Sequence, residues 1–497
     1  MRNSTRIFIA IVAALATRVS ADVKLPAIFS NHMVLQAGVN APVWGWADAG
    51  EEVTVTIAGQ TKKVTTGKDG KWMVKLDTLQ AGAPVTLTVQ GKNSIEIADV
   101  LVGDVWLCSG QSNMAMSVKG AKDFEKEKPA ANFPNIRTFT STWTVCSSNT
   151  VGWFSATAYF FGREIHQKTG MSIGLINSSV GGTPIEAWTS LEAQLAQPEL
   201  KTIIDTHAKY IASAQAIWNP EQVQADYEKQ LVAWKEAAAK AKAGGKPEPR
   251  QPVKLIEPRL QTDPRAGLFN SKIAPLIPYA LRGAIWYQGE ANASAGKLYG
   301  MQLATLIQDW RTRWGSEFPF AWVQLPEYMG VQTVPVEESG WALVREGMLQ
   351  TLKLPHTGMA IALGTGEAGN IHPKNKQEVG RRLALWALAT VYGQKDVASG
   401  PLPAGHKVTG DEVVLSFTHT NGGLVAKGGE LKGFAIAGAD HKWIWANAKL
   451  AGDTVIVSHP DVKSPVVVRY AWANNPAEAN LYNGAGLPAS PFRTDAP

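Results

Sequence analysis

At 497 residues the chain exceeds one ordinary domain, and its 45% apolar and 18% charged residues exclude a disordered or fibrous protein. The formal charge of +6 falls by three to +3 once Arg2, Arg6 and Arg18 of an N-terminal leader are set aside. That charge is too small and too scattered to argue for a nucleic-acid partner.

Residues 1–21 read as a secretory signal peptide. Arg2 and Arg6 precede the apolar run from Ile7 to Ala16, and Val19-Ser20-Ala21 supplies small residues for cleavage before Asp22. The run is too short to span a bilayer, and no later stretch is apolar for long enough, so no membrane span is expected in the mature chain. Export to the periplasm or beyond is the expected localisation. An exported chain could pair its two cysteines, Cys108 and Cys146. Two buried thiols are the preferred expectation, because so large a chain shows no disulfide framework.

Residues 22–98 carry short alternating runs: Val53-Thr54-Val55-Thr56-Ile57, Lys71-Trp72-Met73-Val74-Lys75-Leu76 and Val85-Thr86-Leu87-Thr88-Val89. Turn residues such as Asp69-Gly70 separate them. The pattern predicts a small β-sandwich.

Residues 99–395 alternate strand and helix patterns, as a layered α/β domain does. Asp104-Val105-Trp106-Leu107-Cys108-Ser109 reads as a buried strand ending in Gly110-Gln111-Ser112-Asn113-Met114. A serine on a glycine turn between a strand and a helix suits a nucleophile, since helix-start amides face a developing oxyanion. Ordinary turn chemistry explains a lone Gly-Gln-Ser-Asn equally well. Three further segments end apolar runs in polar groups and glycines. They are Asn177-Ser178-Ser179-Val180-Gly181-Gly182-Thr183-Pro184-Ile185-Glu186-Ala187-Trp188, Ile285-Trp286-Tyr287-Gln288-Gly289-Glu290-Ala291-Asn292, and Asn370-Ile371-His372-Pro373-Lys374-Asn375-Lys376 opening a helix from Gln377 to Tyr392. Open α/β sheets gather ligands at such strand ends.

Between about residues 191 and 264 a helical insertion is expected, with Tyr227, Leu231, Trp234 and Ala238 at helical spacing before the glycine- and proline-rich stretch 244–249. It either shapes the substrate site or elaborates the packing. Residues 396–497 return to strand patterns and predict a second β-rich domain, whose Pro491-Phe492-Arg493 folds back on the rest. No metal-ligand spacing, phosphate loop or dinucleotide glycine pattern appears, so no cofactor is expected.

The four ordered segments together resemble the SGNH (GDSL-type) esterases, in the variant found in sialate O-acetylesterases and related carbohydrate acetylesterases. Leu268-Phe269-Asn270, Val468-Arg469-Tyr470-Ala471-Trp472, Asn480-Leu481-Tyr482-Asn483 and Ser490-Pro491-Phe492-Arg493 extend the likeness over most of the chain. The resemblance implies an α/β fold: a three-layer, flavodoxin-like SGNH domain with a parallel sheet, flanked by the two β-rich domains. It implies a serine esterase acting on an acetylated sugar or oligosaccharide, with sialic acid or a plant-type glycan as substrate. A glycan-binding protein with a degenerate esterase domain is the competing class. The oligomeric state is left open.

By the same resemblance Ser112 is the nucleophile and His372 its base. The Ser112 amide, an amide of Gly181 or Gly182, and the Gln288 side chain are the oxyanion donors, Gln288 standing where the wider superfamily has Asn. Gln111, Asn113, Trp188, Glu290 and Arg345 are candidate substrate contacts. Arg345 would match the carboxylate of sialic acid, or simply pair with Glu346 at the surface. Trp188 would offer a face to a sugar ring, or belong to the core. The acid behind His372 departs from the family: relatives place Asp two residues before the histidine, where this chain has Asn370. Glu367 from the same loop is preferred as the replacement. Glu290, or a dyad without a carboxylate, is the alternative.

Overall fold

The computed structural model describes residues 22–244, 248–255, 257, 265–336 and 338–495. The leader expected at 1–21 lies outside the described residues.

Alternation builds the N-terminal region. In the strand Glu52–Ile57 every second residue, Val53, Val55 and Ile57, is buried. It pairs antiparallel with Gln60–Thr65 on one side and Val85–Gln90 on the other. Pro42–Trp46 and Lys71–Lys75 form a separate antiparallel pair.

One strand, Ser94–Gly110, carries the chain from this region into the next. Its first half pairs antiparallel with Val85–Gln90. Val34–Gln36 runs parallel to its middle, and its last seven residues lie between Ile173–Ser179 and Gly283–Tyr287. Its burial changes accordingly, from alternating at Ser94–Asp99 to continuous from Val100 onward, as a strand covered on both faces requires. The boundary expected at residue 98 therefore falls inside a strand, with no linker.

The sheet around this strand runs in the order Thr357–Ile361, Phe320–Gln324, Gly283–Tyr287, Ser94–Gly110, Ile173–Ser179, Ile136–Phe139 and Trp143–Val145. Neighbours are parallel except at the edge, where Trp143–Val145 is antiparallel. The sheet is thus mixed and not purely parallel.

Helices cover both faces. Trp106 packs edge-on against Phe161 of the helix Ala156–Thr169 and Trp386 of the helix Lys376–Thr390. Trp286 lies opposite Ser109 in the register, three residues after Trp106, so it points to the other face. There it meets Trp188 and Trp310, the latter in the helix Tyr299–Trp314. The tryptophans thus form the interior of a three-layer arrangement.

The insertion is helical, as Pro198–Ala216 and Pro220–Ala243, and the stripe Tyr227, Leu231, Trp234, Ala238 is its less exposed face. The C-terminal region holds two four-stranded sheets and a two-stranded one. Its last strand folds back, and Arg493 pairs through two nitrogens with Glu346 of the helix Gly340–Thr351. Cys108 and Cys146 are both free and buried. Among the described residues no helix is long and apolar enough to cross a membrane.

Candidate active site

The site lies where the central strands end. Gly110 turns the chain out of the sheet at φ +138°, and a Cβ there would stand 2.1 Å from the Tyr287 carbonyl oxygen. Only glycine fits. The turn is tied to both neighbours: the Gln111 amide donates to Tyr287 O at 2.9 Å, and the Val180 amide to Gly110 O at 3.1 Å. Ser112 follows on a single helical turn, Ser112–Ala115, shorter than the helix its sequence suggests.

His372 arrives from the loop after Thr357–Ile361. Its Nε2 lies 2.8 Å from Ser112 Oγ, within reach for proton transfer. Both residues are partly exposed. Burial, and then the Lys376 ammonium, hold the His372 pKa below the ordinary histidine value, so the ring is neutral and can accept a proton at neutral pH.

Glu367 does not stand behind the imidazole. Its carboxylate accepts the Lys374 amide at 2.7 Å and the Asn370 Nδ2 at 3.0 Å. Asn370 in turn accepts the His372 backbone amide at 3.0 Å and donates to the His372 carbonyl at 2.9 Å. These two side chains shape the loop and leave the ring alone. Glu290 is also elsewhere, bonded to Asn113. Among the described residues none hydrogen-bonds His372 Nδ1, which leaves the ring its one contact with Ser112.

Two backbone amides at the serine turn stay unengaged. The Ser112 amide and the Gly181 amide make no hydrogen bond to any described residue, and Gly181 lies against Ser112, its missing Cβ 3.4 Å from Ser112 Cβ. Gly182, at φ +72°, makes the turn beyond.

Gln288 is a correction. Its Nε2 donates to Asn292 Oδ1 at 2.7 Å and Thr183 O at 3.2 Å, and the Tyr299 hydroxyl sits 2.9 Å from its Oε1. Both amide hydrogens are spent on the scaffold, and the side chain is fully buried. It holds the glycine turn in place and has no hydrogen left for an oxyanion.

Four expected substrate contacts are corrected as well. Trp188 is buried against Trp286, its indole N–H on Thr183 Oγ1. Arg345 is buried on four backbone carbonyls, those of Leu325, Pro326, Ala473 and Asn474. Asn113 is buried with every amide group engaged by protein, and Glu290 is buried beside it. Gln111 is nearly buried and accepts the Ala291 amide at 3.3 Å, but its side-chain nitrogen has no partner among the described residues. It alone of the five retains a donor.

Two residues escaped the sequence reading. Asn292 joins Gln288 to the Ile185 amide and, through Nδ2, to Glu186. Lys376 is fully buried and bonds Asn113. Its signal was spacing: Lys376 falls in register with Val379, Gly380, Leu383 and Ala387, the buried face of its helix. Among the described residues no three His, Cys, Asp or Glu side chains gather as metal ligands.

The sequence model of the family described as carbohydrate esterase, sialic acid-specific acetylesterase matches residues 102–225 and 269–389, which include Ser112, Gly181, Gln288 and His372. A sialate O-acetylesterase of Rattus norvegicus is 31% identical over 97% of this chain and 96% of its own. The Homo sapiens sialate O-acetylesterase is 30% identical over 93% and 91%. A solved carbohydrate acetylesterase from Xanthomonas citri superposes with a TM-score of 0.78 and 34% identity, covering 96% of this chain and all of that one.

Proposed function

This chain belongs to the carbohydrate esterase family of sialic acid-specific acetylesterases and is a carboxylic ester hydrolase acting on O-acetylated carbohydrate; from that premise we propose that it works through the Ser112-His372 dyad of an SGNH-type domain, after export. The observation that carries the mechanism is the 2.8 Å contact between His372 Nε2 and Ser112 Oγ beside two unengaged amides.

Ser112 Oγ attacks the acetyl carbonyl carbon while His372 Nε2 takes its proton. The carbonyl oxygen, now anionic, is held by the amides of Ser112 and Gly181. Collapse expels the sugar alkoxide, which takes the proton back from the imidazolium, and the acetyl group stays on Ser112. Water, deprotonated by the same nitrogen, then attacks the acyl-enzyme; the Oγ–acetyl bond breaks, acetate leaves, and Ser112 Oγ takes the proton back from the imidazolium. With no carboxylate at Nδ1 among the described residues, the imidazolium is less stabilised than in a triad, so a modest kcat is expected. The N-terminal basic-apolar-small pattern supports export.

O-acetylated sialic acid is the sugar that the relatives' names point to, and the acetyl group on its 9-hydroxyl is our proposed target. The burial of Arg345 favours a second reading, because it removes the guanidinium expected to meet a sialate carboxylate. Neutral acetylated glycans such as xylo-oligosaccharides then fit equally well. A panel of acetylated sialic acids, acetylated xylo-oligosaccharides and aryl acetates separates the two. Ser112→Ala is expected to abolish acetate release from all of them with unchanged circular dichroism, and a fluorophosphonate is expected to label Ser112 in the parent. Retained kcat in the variant would overturn the nucleophile. Sugar binding without labelling would favour the degenerate, glycan-binding reading.

A further inference from the structure

Lys376 breaks two rules at once. It is a fully buried lysine, and it opens the helix Lys376–Thr390, where the backbone dipole already disfavours positive charge. Such conflicts persist where a site requires them. Its Nζ donates to Asn113 Oδ1 at 2.7 Å and to Pro373 O at 2.6 Å, and lies 5.4 Å from the centre of the Tyr287 ring. Asn113 passes the contact on. Its Nδ2 donates to Glu290 Oε1 at 2.6 Å and to Ile371 O at 2.9 Å.

Asn113 directly follows Ser112, and Ile371 directly precedes His372. One buried amide therefore touches both halves of the dyad, with a cation on one side and a carboxylate on the other. The other Glu290 oxygen is buried without a partner among the described residues. Burial raises the Glu290 pKa, and it lowers that of Lys376 to about 7. Each charge is costly alone and is offset by the other across the amide.

We propose that Lys376 is a positioning residue: with Glu290 it clamps Asn113 between two opposite charges and so fixes the serine turn against the histidine loop. The proposal rests on Ser112 and His372 being the reacting pair. The cation also adds to burial in lowering the working pH of His372. Lys376 is the charged neighbour that lowers the His372 pKa, and Lys376 itself faces Glu290 from the segment after Gly283–Tyr287 and Glu367 from its own loop.

The test uses the full chain and 4-nitrophenyl acetate. Lys376→Met is expected to lower kcat about 10- to 100-fold with little change in KM, since misplaced reacting groups lose rate and not ground-state binding. The acidic limb of kcat/KM is expected to move up, because the Lys376 charge that adds to burial in holding His372 low is gone. Lys376→Arg keeps the charge and loses the geometry, so kcat falls while the limb stays. In denaturant unfolding, Glu290→Gln and Lys376→Met are expected to couple: the double variant loses less than the sum of the singles. If Lys376→Met does not fold, the double variant, free of both buried charges, carries the pH test, and its limb is expected to shift the same way. An unmoved limb, or additive unfolding losses, overturns the proposal. Failure of the dyad reading looks different: Ser112→Ala would then stay active while the Glu290-Lys376 coupling persisted.

Discussion

Among the described residues the imidazole of His372 hydrogen-bonds Ser112 alone, and its pKa is held low first by burial and then by Lys376. The sign of the consequence is fixed. A depressed pKa keeps the ring unprotonated, and able to take the serine proton, below the ordinary value of 6.5. The acidic limb of kcat/KM is therefore expected below that pH, and a limb above it would show that a carboxylate reaches the ring. Asn370 offers the sharper test at this scale. A replacement of Asn370 by Asp restores the residue common in relatives, yet here it would set a carboxylate 3.0 Å from that of Glu367 and against the His372 carbonyl, where an amide now donates. Asn370→Asp is expected to lower both kcat and unfolding midpoint, with partial recovery at acid pH as one of the two carboxylates protonates. A gain in activity would mean that the new carboxylate swings to Nδ1. The pairing of Ser112 with His372 was expected only because their segments together resemble those of a known family, since a glycine turn and a His-Pro step alone suit ordinary turns as well. The destination of Glu367 was not, because a loop carboxylate's direction depends on which amides the folded loop presents.

At the scale of elements, the strand Ser94–Gly110 does most to place the site. It begins as an edge of the N-terminal β region and ends at the nucleophile turn, so the two regions share a backbone. The alternating runs before residue 98 and the apolar run after 104 were both readable as strands. Their continuity was not, since the alternating period gives way to a continuous apolar run across the boundary drawn at residue 98. Gly110 is where this strand's geometry becomes chemistry. Gly110→Ala would drive a Cβ into the Tyr287 carbonyl at 2.1 Å and is expected to remove activity and lower the unfolding midpoint sharply. Gly182→Ala is the control. At φ +72° with nothing within 4 Å of a Cβ, it carries only backbone strain, about 1–2 kcal/mol, and retains measurable kcat. Equal effects from the two would mean that the turn tolerates the clash by shifting.

Across the whole molecule, Arg345-Glu346 joins what the sequence separates. The dipeptide reads as a surface ion pair or a substrate clamp, and nothing within a few residues of it argues otherwise. Three of its partners lie more than a hundred positions away: Arg345 bonds Ala473 O at 2.7 Å and Asn474 O at 3.2 Å, and Glu346 takes Arg493, while the other two carbonyls, of Leu325 and Pro326, lie 20 and 19 positions before Arg345. Burial pushes the guanidinium pKa down to about 10, so the side chain stays charged at neutral pH and makes charge-assisted bonds to every one of these carbonyls. It is the bolt between the C-terminal β region and the segment leaving the strand Phe320–Gln324. Arg345→Met fills similar volume but leaves four carbonyls without their donor, for which a loss of about 3–5 kcal/mol is expected. Arg493→Ala breaks a pair nearer the surface and is expected to cost about 1–2 kcal/mol. Because Arg345 touches no reacting group, the surviving folded fraction of Arg345→Met should keep the parent's KM and kcat for an aryl acetate. Denaturant unfolding measures the first expectation, and active-site titration followed by kinetics the second. A stable Arg345→Met enzyme with a selectively raised KM for acetylated sialic acid would return this arginine to the substrate site.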